Sequence, residues 1–192
     1  PDTEVPPPAA TTSEDLAALA PTLPEPVAEQ LRDTDPTLDA DLADWFSDTC
    51  TRPRLTVLGP IRLRVGPGGD PGKAAKRKPY YTELVAYLAT RPQGATSVEL
   101  CKAFAATPAR LQRDLAVVRQ WLGKDLTTGQ RHLPDATRSQ LFHEGHGLYA
   151  LHNLLSDADL FRRLRLRGQT RGANGLTDYL QALSLVTGRP YK

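Results

Sequence analysis

From Arg54 onward apolar side chains alternate with polar ones at a period of two. Leu55 and Val57, then Ile61, Leu63 and Val65, stand on one parity, with Arg54, Thr56, Arg62 and Arg64 on the other. Such alternation buries one face of a sheet and wets the other, and Gly59 and Pro60 supply a turn between the runs, so a short amphipathic β-meander is expected. After a loop, GPGGDPGKAAKRKP, the period lengthens. YYTELVAYLATRP reads as a helix ending before Pro92, with Leu84, Leu88 and one of Val85 or Tyr87 facing inward. SVELCKAFA follows as a second, short helix, with Ser97 as its N-cap and Val98, Cys101, Phe104 and Ala105 on one stripe. Thr107 and Pro108 form a strong start signal for a third helix running to Leu122 and stopped at Gly123. Residues 124 to 137 read as loop. SQLFHEGHGLYALH then alternates about a Gly-containing turn, which predicts a closing hairpin from Ser139 to His152.

The flanks differ from this centre. Residues 1 to 26 carry prolines at 1, 6, 7, 8, 21, 24 and 26 among Ala, Thr and acidic groups, a composition that cannot bury enough apolar surface to order itself. Between residues 25 and 47, Val27 and Leu31, then Leu38, Leu42, Trp45 and Phe46, recur at helical spacing; Asp39, Asp41, Asp44 and Asp48 surround the second cluster, which could dock on the domain. At the far end, residues 156 to 187 predict a helical pair, opened by Ser156 and Asp159 in capping-box spacing and closed at Gly188 before Pro190. Leu160, Phe161 and Leu164 are expected to face Leu176, Tyr179, Leu180 and Leu183. The division expected is a partly disordered acidic leader with short helices (1–52), one domain (53–152) and a helical pair (153–192).

Charge divides the chain along the same lines. Residues 1 to 52 hold twelve Asp or Glu against Arg32 and Arg52, a net −10, whereas the remainder holds 22 Lys or Arg against 10 acids, a net +12. A basic body points towards nucleic acid or another polyanion. No run approaches the roughly 20 apolar residues that cross a bilayer, and no basic-then-apolar leader opens the sequence. A soluble, cytoplasmic chain at the nucleoid, without membrane contact of its own, is expected. The lack of any Met and the end just after a helical pattern suggest a piece of a longer protein, whose own tether is left open. Cys50 and Cys101 lie in unlike contexts and read as free thiols.

Strands, three helices and a hairpin, in that order, outline an α+β fold of the winged helix-turn-helix plan. The segments PRLTVLGPIRLRV, ELVAYLATRPQGAT, TPARLQRDLAVVRQWLG and GLYAL, followed by SDADLFRRLRLRG and LTDYLQALSLVTGRPY, resemble actinobacterial transcription regulators of the antibiotic-regulatory-protein type. The resemblance covers about residues 53 to 191. It implies a response-regulator-type winged helix followed by the first helical pair, TPR-like, of a bacterial transcriptional activator domain. It also implies duplex DNA as partner, two copies side by side on direct repeats, and activation through an RNA polymerase subunit.

On a wheel of 100° per residue, Leu115, Val118 and Leu122 fall within about 40° of Leu111 and define the buried stripe of the third helix. Arg113 and Gln120 then lie nearly opposite, flanked by Ala109 and Ala116, with Arg110, Gln112, Val117 and Arg119 on the shoulders. Small residues beside a long guanidinium let a helix sit deep in a major groove, where Arg pairs with guanine and Gln with adenine through two hydrogen bonds each. Arg110, Gln112, Arg113, Val117 and Gln120 are therefore the candidate base readers, against the plainer reading of a solvated helix face. Arg119 is a candidate for the DNA backbone. Arg131 and Arg138, beside the hairpin, are candidates for phosphate or minor-groove contact. In the basic loop, Lys73, Lys76, Arg77 and Lys78 could neutralise phosphates. The arginines at 162, 163, 165, 167 and 171 could touch DNA beside the wing or an RNA polymerase subunit, or form a solvated basic face.

Other chemistry is set aside. Gly66 to Lys73 misses the phosphate-loop spacing by one residue, and Ala74 replaces the required Ser or Thr. His143, His146, His152 and Glu144 suggest a metal on spacing, but an alternating hairpin scatters them. No nucleophile-base pair or cofactor fingerprint can be assembled, so no enzyme, cofactor or metal is expected. A different class stays open: a winged helix used as a protein-interaction module of a larger protein, its acidic leader binding a partner or shielding the basic face.

Overall fold

The computed structural model describes residues 35–136, 142–143 and 146–190, with backbone alone at 142–143 and 146. It is a mixed α and β structure. Helix α1 (Leu38–Phe46) is followed by β1 (Arg54–Thr56), β2 (Arg62–Arg64), a 3-10 turn (Gly72–Arg77) and α2 (Lys78–Ala89). Next come β3 (Ala95–Thr96), α3 (Ser97–Ala103), α4 (Pro108–Leu122), β4 (Phe142–His143) and β5 (His146–Tyr149). Strand β6 (Leu155–Ser156), α5 (Asp157–Arg171), a second 3-10 turn (Gly172–Gly175) and α6 (Leu176–Ser184) complete it.

The period-two run forms the expected antiparallel pair, with Leu55 opposite Leu63 and both arginine positions, 54 and 64, facing each other on the outer side. β6 adds parallel to β1, giving the order β2-β1-β6; Ser156, expected to open the helical pair, is its second residue. A second sheet, β3-β5-β4, joins the closing hairpin to the short strand before α3. Between the sheets, Leu55, Leu63, Leu84, Val85, Leu88, Leu100, Leu111, Leu115, Val118 and Trp121 build one core. Each such side chain contributes about 1.5 to 3 kcal/mol on burial. Val85, not Tyr87, takes the fully buried place on α2.

Several local expectations are corrected. Part of the presumed loop before Tyr80 is the 3-10 turn, and α2 begins two residues early because Pro79 fits its first turn, where a missing N–H costs nothing. The cap of α3 is Thr96, whose hydroxyl accepts from Glu99 N–H while the Glu99 carboxylate accepts from Thr96 N–H, a reciprocal pair that displaces Ser97. Cys101 and Phe104 of the expected stripe pack partly buried against the core, whereas Val98 is exposed and Leu100 is the fully buried residue. Ala105 is exposed at φ 44°, in the tight turn that joins α3 to α4.

The largest rearrangement concerns the ends. α1 packs Leu38 and Leu42 against Leu160, Leu164, Ala182 and Leu185, so the leader helix completes a second core with α5 and α6. Leu176, Leu180 and Leu183 are exposed rather than facing α5, and Asp178, Ala182 and Leu185 point inward in their place. The reason is electrostatic as well as apolar. Asp178 receives Arg167 at 2.8 Å and Arg171 at 3.1 Å, which turns that face of α6 towards α5. Ser156 makes no side-chain cap; the next residue, Asp157, is fully buried and accepts from Val57 N–H and Leu58 N–H at 2.8 and 2.9 Å, tying α5 to the first sheet.

Candidate nucleic-acid interface

Helix α4 is fixed at both ends. At its start Thr107 Oγ1 accepts from Arg110 N–H and Pro108 takes the first helical position. At its end Gly123 turns at φ 71°, and a Cβ there would lie 1.9 Å from Gly68 O, so only glycine lets the 66–70 loop close over the last turn. Leu111, Leu115, Val118 and Leu122 are buried, matching the wheel. Ala109, Gln112, Arg113, Ala116 and Gln120 are exposed, and Arg110 and Val117 are half-buried.

These outward residues are not equally free. Among the described residues Arg113 donates only to Ala109 O of its own helix, at 3.3 Å. Gln112 Nε2 donates to the Tyr149 hydroxyl at 2.8 Å, joining α4 to β5. Gln120 Nε2 donates to Asp70 Oδ2 at 2.8 Å, while Asp70 N–H is received by Gln120 O, so the loop covers the C-terminal end of the face. The open part of the surface is the N-terminal half of α4, around Arg113.

A buried carboxylate that sequence reasoning did not single out organises that half. Asp114 accepts from the Tyr80 hydroxyl at 2.8 Å and the Tyr81 hydroxyl at 3.3 Å, with Arg110 at 3.6 Å and Arg77 at 3.8 Å. Burial, and then the Asp114 charge, push both tyrosine hydroxyls above their ordinary pKa. The Arg77 guanidinium also lies 4.2 Å from the Tyr80 ring centre. The one legible signal was an acid four residues after Arg110 on an otherwise basic helix. Through this cluster the 3-10 turn runs beside α4, with Lys73, Lys76 and Lys78 exposed. Arg77 and Arg110 are partly occupied by Asp114.

Arg119 is corrected outright. It is buried, donating to Leu133 O at 3.0 Å and pairing with Asp135 at 3.0 Å, so it holds the segment after the 124–131 loop instead of facing a phosphate. Position 119 lies only one residue from Val118 of the core stripe, and a long side chain there finds buried carbonyls. Arg131 is exposed and bridges Lys124 by backbone; Arg138 lies outside the described residues. Asp125 within that loop has its pKa lowered to about 2, chiefly by Thr128 N–H, then by Asn153 and Thr127 N–H.

His132 is buried with Nδ1 at 3.0 Å from His152 O, a structural contact. Side chains of His143, Glu144 and His146 are outside the described residues; among those described no group of three His, Cys, Asp or Glu could hold a metal. No helix among the described residues is long and apolar enough to cross a membrane. Four α5 arginines are engaged by acids: Arg163 by Asp35 and Asp41, Arg167 by Asp39 and Asp178, Arg162 by Asp159 and Arg171 by Asp178. No family model, no curated protein and no solved structure matches the chain.

Proposed function

We propose that residues 53–152 are a winged helix-turn-helix that binds duplex DNA, with α4 as the helix in the major groove, and that the chain acts in bacterial transcription regulation at the nucleoid. The observation that carries the reading is the N-terminal half of α4. Arg113 is exposed between Ala109 and Ala116 and, among the described residues, is bonded only to its own helix, as a base reader at the start of a recognition helix must be. The 3-10 turn packs on α4, and the exposed Lys73, Lys76 and Lys78 on and beside it supply phosphate contacts. Gln112 and Gln120 read bases only by exchanging their bonds to Tyr149 and Asp70. Activation through an RNA polymerase subunit, and pairing on direct repeats, follow from the family resemblance.

Selection of bound sequences from random duplexes, followed by gel shifts, tests the proposal. Arg113→Ala is expected to lose about 1 to 3 kcal/mol on the selected site, roughly 5- to 150-fold, and to relax preference at one base pair. Equal affinity and selectivity would defeat the assignment.

The second reading, a protein-interaction module, draws on the leader. The part of it that is described, residues 35–52, packs on α5. A module of that kind selects no duplex at all, with or without residues 1–50.

A further inference from the structure

Among the described residues β2 is the outer strand of its sheet. It has β1 on one side and, on the other, an open groove of about 530 Å³ against the first turns of α2, lined there by Lys78, Pro79 and Glu83. A second hollow of about 390 Å³ lies over the outer face of the same strands, bordered by Trp45 and Phe46 at the end of α1. Arg62 and Arg64 line both.

The three arginines of this face are not alike. Arg54 is occupied: its Nη1 donates to the carbonyls of Trp45 and Ser47 at 2.8 and 2.6 Å. Arg62 and Arg64 are exposed and make no hydrogen bond or ion pair among the described residues. With Leu63 buried between them, they project from one side of an extended strand about 7 Å apart. Cations on an open edge repel a second copy of the same strand and favour one of opposite sign.

The face also points away from the proposed DNA surface. Leu55 and Leu63, on the inner side of the sheet, share their core with Leu111 and Leu115 of α4, so the two arginine-bearing surfaces turn outward in different directions. A duplex held at Arg113 leaves Arg62 and Arg64 open.

We propose that β2 is a docking edge for an extended acidic segment of another protein, which adds as a further strand and sets carboxylates at alternate positions against Arg62 and Arg64. Main-chain bonds to the free edge supply affinity, and the two guanidinium groups supply register. The inference does not depend on the DNA reading.

Fluorescence anisotropy with a labelled peptide carrying glutamates at alternate positions among Val and Thr tests it on the whole chain. Saturable binding is expected, weakened about tenfold or more by Arg62→Glu combined with Arg64→Glu and unchanged by Arg113→Ala. In the wild-type chain the amide resonances of residues 61–65 move on titration and those of α4 do not, which needs no variant to fold. The proposal is overturned by absence of saturable binding, by equal binding of a peptide with its glutamates adjacent, by indifference to the double reversal, or by shifts located elsewhere. It is equally overturned if the double variant loses duplex binding as severely as Arg113→Ala, since the face then belongs to nucleic acid.

Discussion

Arg163 reaches back 122 positions to Asp41, its Nη1 lying 2.7 Å from Asp41 Oδ2. The same guanidinium holds Asp35 through two further bonds at 2.6 and 2.8 Å, and Asp41 also receives Arg52. An acidic leader and a basic helix are thereby closed on each other over a shared leucine core. The ion pairs are largely shielded from water, so truncating one partner leaves the others uncompensated.

Acid is expected to loosen this latch. Asp35 is held below the ordinary carboxylate range by its bond from Arg163; for Asp41, burial pushes upward but bonds from Arg52 and Arg163 prevail, and its pKa is lowered too. Groups with depressed folded pKa stabilise above the unfolded value, 3.8, and lose that contribution as pH falls through the folded value. Thermal melts between pH 7 and pH 2 should show the loss beginning near pH 4. Arg163→Ala should cost about 2 kcal/mol at pH 7 and flatten the acid limb.

Asp157 is expected to act in the opposite sense. Burial raises its pKa despite the backbone N–H groups of Leu58 and Val57, so the folded state holds the proton more tightly. Its contribution falls as pH rises from 3.8 through the raised value, and it partly offsets the leader carboxylates in acid. Asp157→Asn removes that rise: between the raised value and 3.8 the parent alone should gain stability as pH falls, and below 3.8 the two acid limbs should run parallel. Asp157→Ala strands two buried N–H groups and should cost about 2 to 4 kcal/mol by denaturant titration.

Arg119 and Arg113 separate stability from recognition. Arg119→Ala unpairs Leu133 O and Asp135 and should lower stability by about 1 to 3 kcal/mol, while the folded fraction keeps the parent's salt dependence for duplex binding. Arg113→Ala should leave the melting temperature nearly unchanged. A reversed pattern would return Arg119 to the surface.

The exposed lysines are expected to appear in the salt slope. If Lys73, Lys76 and Lys78 each neutralise one phosphate, replacing all three by Ala should reduce the slope of log K against log salt by about 2.7, at about 0.9 per contact, with base preference retained. An unchanged slope removes the 3-10 turn from the interface.

Ala105 at φ 44° carries backbone strain that glycine would not. Ala105→Gly should raise stability by up to about 1 kcal/mol, the relief of left-handed strain exceeding the added entropy of the unfolded chain. Urea titration at constant m-value checks this.

The β1–β2 pair and α4 were readable because alternation at Leu55 to Leu63, and the Leu111, Leu115, Val118 stripe, are local patterns with one period each. Thr107, Pro108 and Gly123 marked α4's ends by short-range chemistry that needs no partner. Spacing put Arg113 opposite the leucine stripe and Arg119 on its shoulder, but a shoulder can face solvent or core, and only the carbonyls at 133 and 134 decide that Arg119 is buried. Asp114 was similarly silent until Tyr80 and Tyr81 came beside it.

By itself the chain order determined that α2, α3, α4 and the β1–β2 pair form, and that its acids and bases are segregated. Tertiary structure alone decided that Asp35, Asp39 and Asp41 meet the arginines of α5. The reason is geometric. Periodicity says which face of α1 is apolar, but the choice between two basic surfaces depends on which also offers Leu160, Leu164 and Leu185 to receive Leu38 and Leu42.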